Sequence, residues 1–204
     1  MSGAQRLPIV GVMGSGREEH RDRAEPLGAW LARRGVHLLT GGGGGVMSAV
    51  SRGFVQVPAA QRSGRVLGVL PGGLGGELEA TPEGYPNPWV EIPIRTHLPD
   101  RGARGAGPRS RNAINVLTSD LLVALPGGEG TSSEIRLAVE VGRPVVAYLD
   151  RREEIPHLPD VVEHCCDLAS IEVWLEDRLA RWCDDPRGSS EGRRAAPYDL
   201  PSCP

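Results

Sequence analysis

The sequence of 204 residues predicts an α/β protein, a Rossmann-like, doubly wound parallel sheet in three layers. Three observations carry this expectation. Short apolar runs of strand length alternate with segments of helical periodicity from Pro8 to Leu149. Both glycine-rich motifs fall where a strand-like run hands over to a helix-like one. No internal repeat exists beyond that βα alternation, so one sheet with helices on both faces accounts for the pattern. The expected organisation is a single α/β domain over residues 1–183, then a polar, Pro-rich tail over 184–204.

The elements follow in chain order. Pro8–Met13 (PIVGVM) reads as a buried strand, and Gly14, Ser15 and Gly16 as a turn. Arg21–Arg34 carries Leu27, Trp30 and Leu31 at helical spacing. Val36–Thr40 is a second strand, followed by five glycines, Gly41 to Gly45, and then by a helix over Val46–Val57. Arg65–Leu70 is a third strand, Pro71–Pro88 a Gly- and Pro-rich loop, and Trp89–Ile94 a short strand. Thr96–Pro108 is a loop; with the residues after it, it holds Arg101, Arg104, Arg109 and Arg111 and no acid between the first and last of these. Arg109–Thr118 is expected to be helical with Ile114 and Leu117 inward. Asp120–Leu125 is a strand, Thr131–Val141 a helix, Pro144–Leu149 a strand, and Ile171–Trp182 a closing helix that buries Trp174 and Trp182.

Composition narrows the chemistry. The chain contains no lysine, so all 23 of its basic residues other than histidine are arginine. Schiff-base chemistry, pyridoxal phosphate enzymes and a GxxxxGK[ST] phosphate loop are excluded. Any phosphate must be held by backbone amides and arginine. A net charge of −3 and 4% aromatic residues supply neither the field nor the stacking surface of a nucleic-acid binder. Nucleic acid and membrane are therefore not expected as partners; no apolar run approaches ~20 residues, and the N-terminus lacks a signal pattern. Cys165, Cys166, Cys183 and Cys203 show no CxxC spacing, which points to a cytoplasmic setting and to no metal site. The five histidines are scattered and have no evident partners.

Two glycine loops carry the candidate site. Gly41, Gly42, Gly43, Gly44 and Gly45 follow a strand and open a helix, where close backbone approach and unpaired N–H groups favour an anion. Gly14 and Ser15 are a weaker signal of the same kind. The second loop, Pro126 to Glu134 (PGGEGTSSE), has Gly127, Gly128, Gly130 and Thr131 placed to cradle a phosphate, with Glu134 facing a sugar. Thr131 and Glu134 also have the spacing of a capping box, Thr131 as N-cap and Glu134 at N3, which is a purely structural account of both. Glu129 is expected to face solvent.

Pro126–Glu134 resembles the PGGxGTxxE signature of the Lonely Guy family, phosphoribohydrolases often mislabelled lysine decarboxylases. An Arg nine residues before the Asp that starts the preceding strand also matches, here Arg111 and Asp120. Gly41–Met47 is similar to the family's earlier glycine loop. The stretches Arg111–Ile114 and Val46–Gly53 are more similar to a sister branch of the superfamily, which includes molybdenum cofactor carriers and DNA-processing-related proteins. The resemblance spans about Pro8 to Leu149 and implies a homodimer or a higher homo-oligomer.

The resemblance implies Glu134 and Arg111 as the catalytic pair of a hydrolase that cleaves nucleoside 5′-monophosphates to free base and ribose 5-phosphate, with no cofactor required. Glu134 would balance an oxocarbenium-like charge and orient water, while Arg111 would hold the phosphate or sugar oxygens. The alternative is a carrier without turnover, with the molybdenum cofactor or another nucleotide as its ligand. Lysine decarboxylation is excluded by the absence of lysine.

Overall fold

The computed structural model describes residues 6–73, 81–100, 104–105 and 110–184. Its central strand is β1 (Ile9–Met13), where apolar side chains are sent to both faces. The chain continues through α1 (Arg21–Arg34), β2 (His37–Thr40), α2 (Val46–Gln56), β3 (Val66–Leu70) and β4 (Ile92–Arg95). It then forms α3 (Asn112–Thr118), β5 (Leu121–Ala124), α4 (Glu129–Glu140), β6 (Val145–Tyr148), β7 (Glu163–Cys165) and α5 (Leu168–Asp184). The strands form one seven-stranded sheet in the order β4-β3-β2-β1-β5-β6-β7, and every pairing is parallel. The expected doubly wound, three-layer architecture is the one observed.

The layers follow from the period-2 alternation of the strands. Val10, Val12, Leu38, Val66, Leu121, Val123, Val146 and Tyr148 face α1, α2 and α5 in one cluster with Leu27, Leu31, Phe54, Ile171 and Trp174. Their neighbours Met13, Leu39, Val69, Leu122, Ala124 and Ala147 face the opposite side, where α3 and α4 contribute Val116, Ile135 and Ala138. Full burial of a side chain such as Leu27 or Phe54 contributes roughly 1.5–3 kcal/mol. Helices α1 and α2 touch backbone to backbone: a Cβ on Gly28 would lie 2.1 Å from Val50 O, and one on Gly53 2.2 Å from Glu25 O.

Several expectations need correction. Leu117 is 56% exposed; the inward positions of α3 are Asn112, Asn115 and Val116. α4 begins at Glu129, two residues before the expected start, with Gly128 as N-cap and no side-chain cap. Thr131 is therefore the third helical residue and Glu134 lies in the second turn, so the capping box does not form. The fourth strand lies three residues later than expected at its start, and α5 starts three residues earlier. β7 was not expected, because a three-residue strand reading Glu-His-Cys carries no apolar run. Trp174 is buried, whereas Trp182 is half-buried beneath Arg6, 5.1 Å from its guanidinium carbon. Arg104 is exposed, while Arg101 and Arg109 lie outside the described residues, as does the expected tail beyond Asp184.

Candidate functional site

Strand order reverses between β1 and β5, so the loops leaving these two strands diverge and open a crevice at their carboxyl ends. Because the sheet is wholly parallel, the loops after β1, β2 and β5 all lie at this end, and both glycine motifs meet there. They are joined by backbone hydrogen bonds. Ser15 N donates to Pro126 O at 2.9 Å, Leu125 N to Met13 O at 2.8 Å and Val46 N to Ser15 O at 2.9 Å. Between them lies a cavity of about 680 Å³. A second depression, between α1 and α2, shares no lining residue with it.

One wall is the start of α4. Gly128, Glu129, Gly130 and Thr131 line the cavity. The first-turn N–H groups of a helix have no partner inside the helix, and they carry the positive end of its dipole. Gly127 lies behind this wall. A Cβ there would meet Thr131 Oγ1 at 2.3 Å and Ser15 N at 3.0 Å, so the glycine allows Thr131 to pack under the loop. Glu129 is exposed at the cavity mouth. Gly14 and Ser15 also line the cavity, but Ser15 Oγ accepts from Arg17 N at 3.2 Å and Glu18 N at 3.0 Å, which closes its own turn.

The five-glycine run is mostly packed on protein. Gly41 alone of the five lines the cavity. Gly43 lies against the Tyr85 ring, whose nearest carbon would be 2.8 Å from an added Cβ. Gly42 and Gly45 have φ of +73° and +60°. At Gly45 a Cβ would sit 2.2 Å from Ser15 O, so only glycine fits where the two loops cross. Asn87 secures this arrangement through Nδ2 to Gly43 O at 2.8 Å and its backbone N to Gly42 O at 2.8 Å.

Arg111 and Glu134 both reach the cavity. Arg111 is the N-cap residue of α3 and is buried; Nη2 donates to Gly41 O at 2.9 Å, and its guanidinium carbon is 5.7 Å from the Tyr85 ring centre. It is not a surface helix arginine. Glu134 is buried on α4, and Oε1 accepts from Asn115 Nδ2 at 2.8 Å. Burial pushes its carboxyl up from 4.5 to about 7, opposed by the Asn115 hydrogen bond and the Arg111 charge. Asn112 completes the α3–α4 junction, donating from Nδ2 to Ser133 Oγ at 3.0 Å.

Asp120, the other member of the Arg–Asp spacing, lies at the opposite end of the sheet. It accepts both Arg6 guanidinium nitrogens, at 2.6 and 2.7 Å, and the Ile9 N–H at 2.8 Å. Its part is to register β1 against β5. Met13, Gly16, Arg17, Met47, Tyr85, Asn112 and Asn115 also line the cavity, beyond the site residues expected from the sequence. A signal existed for Asn115, which stands one helical turn after Arg111 and hence on the same face. Among the described residues no group of three or more His, Cys, Asp or Glu could hold a metal ion, and no helix is long and apolar enough to cross a membrane.

Fold and site together define a Rossmann-like protein with an amide- and arginine-walled crevice at its switch point. Residues 7–169 match the SLOG cluster4 family, and the chain belongs to that family. It is 33% identical over 144 residues to an uncharacterized protein of Archaeoglobus fulgidus, covering 70% of this chain and 80% of the relative. Two solved structures place it in the branch that its sequence resembles. The molybdenum cofactor binding protein of Rippkaea orientalis is 32% identical with a TM-score of 0.53, over 86% of each chain. The molybdenum cofactor carrier protein of Chlamydomonas reinhardtii is 29% identical with a TM-score of 0.58, over 85% of this chain and 99% of the other.

Proposed function

We propose that this protein binds a phosphorylated heterocyclic molecule of the nucleotide or molybdenum cofactor class in the β1/β5 crevice, as a carrier. The observation that carries this reading is the pairing of the α4 N-terminus with Arg111 around one cavity. The first supplies N–H groups and a partial positive charge, the second a guanidinium fork suited to paired anionic oxygens. The remaining wall holds Met13, Met47 and Tyr85, apolar and aromatic surface for a flat ring system. No lysine is needed. The molybdenum cofactor proteins among its neighbours support the same ligand class. In this reading the phosphate sits on the α4 amides, the ring lies along the Met and Tyr wall, and the cytoplasm is the site of action.

A second reading is favoured by one residue. Glu134 is a buried carboxyl on the cavity wall whose proton affinity lies near neutrality, as a general base requires. With a nucleoside 5′-monophosphate bound, ionised Glu134 would balance the charge that builds on the ribose as the N-glycosidic bond breaks, and would orient the attacking water. This route uses only the protein's own residues.

The two readings separate in one experiment. The protein is incubated with the cofactor released from a molybdoenzyme and with a panel of nucleoside 5′-monophosphates. A carrier retains the cofactor through gel filtration, restores an apo-molybdoenzyme and liberates no base. A hydrolase liberates free base and ribose 5-phosphate from at least one nucleotide. Failure both to retain the cofactor and to release base from any nucleotide removes both readings. We further propose that the protein is a homodimer or higher homo-oligomer through the outer face of α3 and α4, where Leu117, Val139 and Val141 are exposed.

A further inference from the structure

The residue that holds Glu134 has properties of its own. Asn115 is fully buried on α3, one turn beyond Arg111. Its backbone is fixed at both ends: N donates to Arg111 O at 3.1 Å, and O accepts Ser119 N at 3.2 Å and Ser119 Oγ at 2.8 Å. Its side chain crosses to α4 and gives Nδ2 to Glu134 Oε1. The other end of the same amide, Oδ1, is buried and has no hydrogen-bond partner among the described residues. A buried carbonyl oxygen without a donor is uncommon and costly, so it calls for a function. Leucine would fill the space without that cost, and aspartate would set a second carboxylate against the first.

We propose that Asn115 is the positioning residue of the site: it fixes the Glu134 carboxyl by one oxygen, leaves the other to the cavity, and pairs with either protonation state, holding the ionised carboxyl more strongly because that hydrogen bond is charge-assisted. With Glu134 ionised, Nδ2 donates to it as observed. When Glu134 is protonated by a hydronium ion from bulk solvent, a half-turn of the amide brings Oδ1 to the new O–H, which donates to it. One O–H bond of the hydronium breaks as the carboxyl O–H bond forms, a water is left, and the cavity loses one negative charge. Among the described residues, the other charged or titratable groups around the cavity are Arg111 at the start of α3, Arg17 after β1, Glu129 at the start of α4 and Tyr85 from the segment before β4. The α4 amides share that space, so an anion is held more tightly once Glu134 is neutral. The proton affinity of Glu134, near pH 7, places the change in the physiological range.

The test uses the full chain carrying ¹³C-labelled glutamate carboxyls, with Glu134→Gln identifying the resonance. Wild type, Asn115→Leu and Asn115→Asp are titrated. Asn115→Leu should raise the Glu134 midpoint by at least ~1 unit, a tenfold gain in proton affinity. Asn115→Asp, nearly isosteric, should replace one step by two coupled ones, and it decides the matter alone if the leucine variant does not fold. Calorimetry with inorganic phosphate should then show an affinity that falls as pH rises, with a midpoint that follows the resonance. A Glu134 midpoint within ~0.3 units of wild type in every folded variant overturns the proposal. The phosphate readout rests on the anion-binding reading given above, but the resonance does not. If the midpoints move and wild type binds no phosphate at any pH, Asn115 keeps its role and the anion reading fails.

Discussion

Ser15 and Pro126 are joined by a backbone hydrogen bond of 2.9 Å across the switch point, and the carbonyl of the same serine accepts from Val46 at the start of α2. One residue thus ties together the loops after β1, β2 and β5. The floor of the crevice is held by the protein's own backbone hydrogen bonds.

Gly45→Ala should break this junction. The residue has φ +60° and ψ −137°, a region open essentially to glycine, and its Cβ would strike backbone atoms, Ser15 O at 2.2 Å and Arg17 N at 2.7 Å. Neither can swing aside as a side chain would. Strain and collision together should cost at least ~3 kcal/mol, read as a lower urea midpoint with an unchanged m-value. Gly44→Ala is the control, since its Cβ would come no closer than 3.3 Å to Gly16 O and the site is exposed. Equal stability of the two variants would contradict the close crossing.

Arg111→Ala should weaken binding of a phosphorylated ligand by about 10- to 100-fold, the worth of a charge-assisted hydrogen bond. Arg111→Lys should recover only part of the loss, because an ammonium cannot reproduce the fork that meets Gly41 O and still serves an anion. Isothermal calorimetry with AMP and with inorganic phosphate reads both. Unchanged affinity in Arg111→Ala would remove this residue from the site.

The order of β1 to β6 was legible because the strands are short runs rich in apolar residues, and the longer crossover helices repeat their apolar residues at helical spacing; β7 carries no such run. Leu117 was misread since α3 spans only seven residues, too few for periodicity to choose a face. Its inward positions went to Asn112 and Asn115, polar residues that no hydrophobic pattern would send inside. The start of α4 was hidden because Gly128-Glu129-Gly130 reads as loop, whereas these two glycines line the cavity and the preceding Gly127 makes room for Thr131. The five-glycine run was read as an anion loop, yet four of its members do not line the cavity and several pack against Leu70, Tyr85 and Ser15. That distinction depends on residues far away in sequence. Arg111 and Glu134 were legible through the family signature, while Asn115, which connects them, lies outside the signature.

Oligomerisation through α3 and α4 has a direct check. Arg143 Nη2 donates to Leu117 O at 3.1 Å, which draws the C-terminal ends of the two helices together, and Leu117 and Val139 are 56% and 37% exposed there. Exposed apolar side chains at the ends of two packed helices are candidates for an interaction surface. The double variant Leu117→Glu, Val139→Glu should run as a monomer by light scattering at micromolar concentration while wild type runs as a dimer or larger. A monomeric wild type would refute the assembly.

Glu134 yields the most discriminating prediction, since its charge affects stability and function in different ways. Its folded-state proton affinity is raised, from 4.5 to about 7, chiefly by burial. Between these values the folded protein binds more protons than the unfolded chain, so stability must fall as pH rises through this window. Ionising the buried carboxyl by pH 8 should cost about 3 kcal/mol relative to pH 4. Glu134→Gln cannot ionise, and its stability should lack this component, leaving it more stable than wild type at pH 8 by urea unfolding. The glutamine can still accept the Asn115 hydrogen bond, so the cavity keeps its shape. If the protein is a carrier, Glu134→Gln should bind a phosphorylated ligand at least as tightly as wild type at pH 8, because a negative charge has left an anion site. If the protein is a hydrolase, the same variant should bind nucleotide and release no base, because an amide cannot balance the charge that develops on the ribose. Wild-type stability that rises from pH 5 to pH 8 by an amount that Glu134→Gln does not share would show that the buried carboxyl is stabilised as an anion, against the environment described for it here.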